Sequence, residues 1–118
     1  MEDRYLFKGK EKDSGEWVTW NIFSGLYGHD IDKSTICQCT GLKDKNGRLI
    51  WENDIVRDKH GNFYAASYQN NYYRFSWICV KSDVFLVGAM WNLWSFHSFE
   101  VEVIGNIFDN PELVESEE

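Results

Sequence analysis

Three cysteines, Cys37, Cys39 and Cys79, and three histidines, His29, His60 and His97, are the residues of this 118-residue chain that could hold a metal. Cys37-x-Cys39 would put two thiols on one face of a strand. A structural zinc site wants four ligands, with cysteines paired across about two to four residues. Cys79 and one histidine could complete the set, but the spacing argues for plain buried or partly exposed thiols. A thiol-redox site would want C-x-x-C at a helix start, which is absent. Glu52, Asp54, Asp44 and Asp58 form a local carboxylate group. Acid–base or metal chemistry would need at least two of them in one pocket. Turn capping is the simpler role: Asp44 and Asp54 sit where a carboxylate accepts backbone N–H bonds. Asp30 and Asp32 lie in a glycine-containing segment without the EF-hand pattern. No G-x-S-x-G, P-loop, H-E-x-x-H or G-x-G-x-x-G motif occurs. We therefore expect no catalytic, metal-binding or cofactor-binding residues, no cofactor, and no enzyme activity.

One further constellation could do chemistry of recognition. Phe63, Tyr64, Tyr68, Tyr72, Tyr73, Phe75 and Trp77 form an aromatic series that could stack on single-stranded nucleic acid. Only Arg74 interrupts it with a positive charge, so a phosphate backbone would find little to hold. Strand alternation should send half of these rings into the core. The remainder, with tyrosine favoured as an interface anchor, suggests a partner-binding surface of Tyr64, Tyr68, Tyr72, Arg74, Glu100 and Glu102.

The rest of the chain must position those residues. Aromatics make up 17% of it and proline occurs once, which favours short strands. A net charge of −7 argues against a general phosphate-backbone binder. An odd cysteine count and an N-terminus without a long apolar stretch point to reduced thiols in a cytoplasm. The apolar run from Val84 to Trp91 is far too short to span a bilayer.

The periodicity predicts strands at Arg4–Lys8 and Glu16–Phe23, forming a hairpin, and a loop from Ser24 to Ser34. A short strand follows at Thr35–Thr40. Asn46-Gly47 predicts a type I′ turn. Leu49, Ile50 and Trp51 are an apolar run, punctuated by Glu52, Asn53 and Asp54. Further strands are expected at Asp54–Asp58, Phe63–Gln69 and Tyr72–Lys81, with turns at Lys59–Asn62 and Asn70-Asn71. Val84–Met90 is another apolar run. Phe99, Val101 and Val103 should face inward, with Glu100 and Glu102 outward. The alternation slips at Ile104-Gly105, which predicts a bulge or a change of sheet. Asn110-Pro111 reads as the start of a short helical turn, followed by an acidic tail.

Thr40-Gly41-Leu42-Lys43-Asp44-Lys45-Asn46-Gly47, followed by Ile50, Glu52 and Asp54-Ile55-Val56, resembles the signature T-G-L-x-D-K-N-G-x-x-I-x-E-G-D-I-V of the YopX family of phage and prophage proteins. Tyr5–Lys10 with Gly15–Val18, and Glu102–Leu113, resemble the family's opening and closing blocks. The resemblance spans nearly the whole chain. It implies a small β-rich fold related to SH3-like barrels, a phage origin, and no established activity or catalytic residues. Asn53 stands where the family usually has Gly. Asn is the least costly replacement if that position is left-handed.

These readings together predict an all-β protein: a small SH3-like barrel with an N-terminal β-hairpin extension and a short C-terminal helical turn. Residues 1–118 would form a single domain, with N-terminal strands and loop at 1–39, the barrel at 40–109 and the acidic tail at 110–118. The expected function is a phage-encoded accessory binding protein that binds and inhibits a host protein, such as a nucleic-acid-binding one, in the cytoplasm of an infected or lysogenic bacterium. The alternatives are a nucleic-acid-binding barrel and an oligomeric structural phage protein. A host or phage protein is the expected partner, with a homo-oligomer open, nucleic acid disfavoured and no membrane association.

Overall fold

A computed structural model describes residues 3–26, 28–69, 74–92 and 97–114. Among them nine strands run in chain order: β1 (Leu6–Glu11), β2 (Trp17–Asn21), β3 (Ile31–Lys43), β4 (Leu49–Trp51), β5 (Asp54–Arg57), β6 (Phe63–Gln69), β7 (Arg74–Lys81), β8 (Met90–Asn92) and β9 (Glu102–Asn106). They form two antiparallel sheets, one ordered β2-β1-β3-β4 and the other β8-β7-β6-β5-β9. The class is all-β, as the aromatic and β-branched content predicts.

The longest strand departs most from expectation. β3 begins at Ile31, inside the segment predicted as loop, and runs past the Thr40 end predicted for it. Gly9 on β1 explains the early start. A Cβ there would lie 2.6 Å from Ile31 Cγ2, so only glycine leaves room for Ile31 to bury against the hairpin. The β1–β3 register slips between Lys8 and Lys10, and Thr35 closes the irregularity. Its hydroxyl donates to Asp32 O at 2.6 Å and accepts the Lys10 N–H at 2.8 Å. The boundary expected at 39/40 thus falls inside one continuous strand, and the N-terminal hairpin shares a sheet with β4.

The turn after β3 is also not the one predicted. Gly47 has φ +80°, but Asn46 is not left-handed, so the type I′ form is excluded. Gly47 N–H donates to Asp44 O at 3.0 Å, and Asp44 N–H donates to Arg48 O at 2.8 Å. That is a tight turn ending in a left-handed glycine, which the three-residue hairpin class uses. The Asp44 side chain selects it. Oδ1 accepts the N–H groups of Asn46 and Arg48 at 2.9 Å each, and Oδ2 accepts that of Val103 at 2.9 Å. A capping role for Asp44 was expected; its reach across to β9 was not.

Asn53 is left-handed, with φ +71°, as its replacement of a family glycine suggested. The conformation lets its N–H reach Ala66 O at 2.6 Å while its carbonyl accepts the Ile107 N–H at 3.1 Å. One residue thereby ties the corner to both β6 and the C-terminal segment.

The main core packs Ile50, Val56, Tyr64, Ala66, Trp77, Cys79, Val101 and Val103. A second cluster, Ile55, Ala65 and Val80, lies on the opposite face of the five-stranded sheet, covered by Phe63, Ile104, Ile107 and Leu113. Both faces of β5, β6 and β7 are therefore buried near their centres, which blurs the alternation a half-buried strand would show. The bulge predicted at Ile104-Gly105 is present: Ile55 pairs with Gly105 and Val56 with Val103, leaving Ile104 as the extra residue. The helical turn predicted after Asn110 is a single 3-10 turn, Pro111–Leu113.

One expectation near the C-terminus fails for a local reason. Phe99 does not point inward; it is 61% exposed and stacks on His97. Ser98–Glu100 form a 3-10 turn, closed by the Val101 N–H on Ser98 O, so strand alternation only begins beyond it. The apolar run Val84–Met90 forms a strand only from Met90 onward. The turn expected at Asn70-Asn71 and the tail from Glu115 lie outside the described residues.

Candidate binding surface

The loop between β7 and β8 builds the most developed surface feature. The Ser82 hydroxyl oxygen accepts the N–H groups of Val84 and Phe85, both at 2.9 Å. This bends the chain out of the sheet immediately after β7, because those N–H groups are satisfied locally and not by a neighbouring strand. The chain rejoins the ladder where Cys79 N–H donates to Ala89 O and Gly88 N–H donates to Cys79 O, both at 2.8 Å. The excursion leaves Val84 79% exposed and Leu86 84% exposed.

A hydrogen-bond chain fixes this loop to the sheet. Ser82 Oγ donates to Asn62 Oδ1 at 2.6 Å, and Asn62 Nδ2 donates to Asp58 Oδ2 at 3.0 Å. The same carboxylate accepts the Tyr64 hydroxyl at 2.9 Å and the N–H groups of His60 and Asn62 at 2.9 Å each. An aromatic chain runs parallel to it. Tyr64 packs edge-on against Trp91 at 5.5 Å between centroids, and Phe85 packs edge-on against Trp91 at 5.1 Å. The loop is thus held on two sides, by polar links to the β5–β6 turn and by rings to the core.

Between these elements lies a cavity of about 440 Å³, lined by Asp58, Lys59, His60, Asn62, Tyr64, Val84, Phe85, Glu100 and Val101. Its carboxylate at Asp58 is already engaged. Burial pushes the Asp58 carboxyl up, but the Asn62, Tyr64 and His60 donors outweigh it and hold the group below the usual carboxylate range. Burial, reinforced by the neighbouring Asp58 charge, raises Tyr64 above an ordinary phenol. Acceptor and donor are both committed to holding the loop. The arrangement offers a shaped apolar concavity with a polar edge, which suits recognition.

The residues expected at a partner surface do not come together as a group. Tyr64 faces the core, 4% exposed, with its hydroxyl on Asp58, because its strand position points between the sheets. It lines the cavity wall and is not an exposed anchor. Tyr68, 40% exposed and edge-on to Phe75, lies four positions along β6, about 13 Å away at strand rise. Arg74 is exposed beside it, paired in register with Gln69. Tyr72 lies outside the described residues. Glu100 is exposed and lines the cavity. Glu102 accepts from Arg57 at 2.6 Å and from Asn46 at 3.3 Å, so it serves the fold. Only Tyr64 and Glu100 share the cavity. Sequence reasoning missed Val84, Phe85 and Leu86 as surface residues. Ser82 two and three positions ahead of Val84 and Phe85 was the available signal, since serine there can turn the chain out.

The cysteines lie in the core, and the corner carboxylates Asp54 and Glu52 accept backbone N–H groups. Cys37, Cys39 and Cys79 are all buried. Burial pushes the Cys37 thiol up to about 11 and also raises Cys39. Asp54 accepts the Trp51 N–H at 2.8 Å, and Glu52 accepts that of Gln38 at 3.2 Å. Among the described residues no group of three or more His, Cys, Asp and Glu side chains converges as a metal site would require.

Comparison with known families matches residues 2–115 to a family described as YopX protein. The chain belongs to the YopX family. The match takes in both sheets and the β7–β8 loop, so every element of the surface lies within the family region. No curated protein matches the chain.

Proposed function

We propose that this YopX-family protein is a phage accessory protein that acts by binding a host protein and not by catalysis. The observation that carries the reading is the braced loop. Val84 and Phe85 line the cavity and Leu86 stands exposed next to them in the chain, on a protein of net charge −7. Exposed apolar residues held rigid by a dedicated hydrogen-bond chain favour association, because little conformational entropy remains to be lost on contact. Asp83 and Glu100 flank the apolar residues and Lys59 and His60 share the rim, so a partner presenting an apolar anchor beside a basic residue fits best. Acidity of the whole chain favours a partner with a basic, nucleic-acid-binding face, whose sites the protein would occupy in competition with nucleic acid.

The test is co-purification from nuclease-treated lysate of the bacterial host at two salt concentrations. The wild-type protein is compared with Val84→Ser/Leu86→Ser, which removes apolar surface without touching the Ser82 brace. A stoichiometric protein partner held by the wild type and released by the variant is expected. Partners lost on nuclease treatment would move the reading to nucleic-acid binding. Equal capture by both proteins would remove the loop from the interface.

A further inference from the structure

We propose that a second copy of this chain adds to the outer edge of β2, so that two four-stranded sheets join into one continuous sheet across a twofold axis. β2 is the terminal strand of its sheet and pairs with β1 over five successive residues without a register slip. Its sequence, Trp17-Val18-Thr19-Trp20-Asn21, has no charge and no proline. Such an edge lacks the devices that normally discourage strand addition. The other edges are managed. β4 and β8 have three residues each. β9 carries the Ile104 bulge, and its neighbourhood is stitched to the Asp44 turn by Lys45 N–H on Val101 O and Val103 N–H on Asp44.

The hydrogen-bond phase of β2 specifies the partner. Ile22 N–H donates to Tyr5 O, and Glu11 N–H donates to Glu16 O. With the regular β1–β2 register between them, Val18 and Trp20 turn their backbone groups toward β1, and Trp17 and Thr19 turn theirs outward. Asn21 marks the end of the open edge, because its N–H and carbonyl are taken up by the Ser24 turn. The open stretch is therefore Trp17–Thr19. An antiparallel copy centred on Val18 pairs Trp17 with Thr19 of the other copy and Thr19 with its Trp17, satisfying both residues in both chains. The stretch is self-complementary about its own midpoint, as a twofold contact requires. It is also neutral, so two copies of a −7 chain meet without like charges facing each other along the strand.

The face that would become continuous is apolar. Phe7 stacks on Trp20 at 6.2 Å, and Gly9, next to both, lies under Ile31 and Ile36. Ile36 is 37% exposed. Val18 pairs with Gly9 on this same face, beside the proposed axis. Pairing would bring the Val18 side chains together and extend the cover over the Phe7–Trp20 stack.

Sedimentation of the full chain across a concentration series tests this. A monomer–dimer equilibrium is expected for the wild type. Val18→Lys would set two ammonium groups opposite each other across the axis, with Cβ atoms about 5 Å apart, and should raise the dissociation constant at least about tenfold. Thr19→Pro deletes an outward N–H that no described strand of the same chain uses, and should give a monomer with an unchanged circular-dichroism spectrum. Leu86→Ser, on the distant loop, should dimerise like the wild type. The proposal is overturned by a wild type monomeric at every concentration, by dimers that survive both β2 substitutions, or by loss of the dimer in Leu86→Ser with the β2 variants intact. These readouts are separate from capture of a host protein, which concerns the other sheet.

Discussion

Asp54 makes the stability of this protein depend on pH in an unusual direction. The residue opens β5 with 4% of its surface exposed, and Oδ2 accepts the Trp51 N–H at 2.8 Å. Burial dominates, and it pushes the carboxyl from its ordinary 3.8 up to about 6 against the opposing pull of that N–H and of Lys8. Because the folded value is raised, the carboxyl supports the fold fully below about pH 4, and that support drains away as pH rises through about 6. The gap, at about 1.4 kcal/mol per pH unit, is worth about 3 kcal/mol. Asp54→Asn keeps an oxygen for the Trp51 N–H and removes the charge. The difference in unfolding free energy, variant minus wild type, should therefore climb by about 3 kcal/mol between pH 4 and pH 8, or about 10 °C in melting temperature for a chain of this size. Groups with lowered values, such as Asp44 and Asp58, weaken both proteins alike on acidification and cancel in the difference. Urea titrations of the pair at intervals from pH 4 to 8 read the effect directly. A difference that stays constant across that range would refute the reasoning and place solvent next to the carboxylate.

Three other outcomes follow from single contacts. Gly47→Val forces a β-branched residue to φ +80° and should cost at least about 1–2 kcal/mol in a denaturant titration, with Gly47→Asn costing less. Asp44→Ala strands the buried Val103 N–H as well as two turn donors, and should cost about 3 kcal/mol; Asp44→Asn, which keeps one oxygen, should recover part of that in the same titration. Gel shifts at physiological salt should show no sub-micromolar binding to random duplex or single-stranded DNA, because a chain of net charge −7 repels phosphates.

How far the sequence could be read depended on whether the signal was local. β6 was legible to the residue, because Gly61-Asn62 and the polar end at Gln69 bracket an apolar run. The left-handed Asn53 was legible because the family places glycine there, and the bulge at Ile104 because one residue breaks the alternation. Ile31 was hidden because its burial depends on a missing side chain at Gly9, twenty-two positions earlier. Phe99 and the Val84–Leu86 run were hidden for the converse reason. Both look like core in a hydropathy pattern, and only short-range turns, at Ser98 and Ser82, put them outside. The surface residues chosen from tyrosine content suffered likewise, since Tyr64 is buried with its hydroxyl on half-buried Asp58 of the β5–β6 turn, a partner that no periodicity reveals.

The Ser82 case also bears on how the surface arose. Asp58, Asn62 and Ser82 form a polar chain whose far end does nothing for the core except hold the β7–β8 loop outward. A sequence selected only for stability would gain by letting Val84 and Leu86 continue β7 or by making them polar, since exposed apolar side chains confer no folding advantage. Instead the Asn62 and Ser82 side chains hold them outward. Deleting the brace therefore separates two roles that a loop substitution cannot. Ser82→Ala should lower stability by about 1–3 kcal/mol: the freed N–H groups of Val84 and Phe85 lie at an exposed position and can turn to water, but the buried Asn62 Oδ1 loses its Ser82 donor. Partner capture should fall far more than that loss of stability explains, since the apolar residues remain but are no longer held. A Ser82→Ala protein that captures its partner as well as the wild type would show that the loop's chemistry suffices and that its rigidity is incidental.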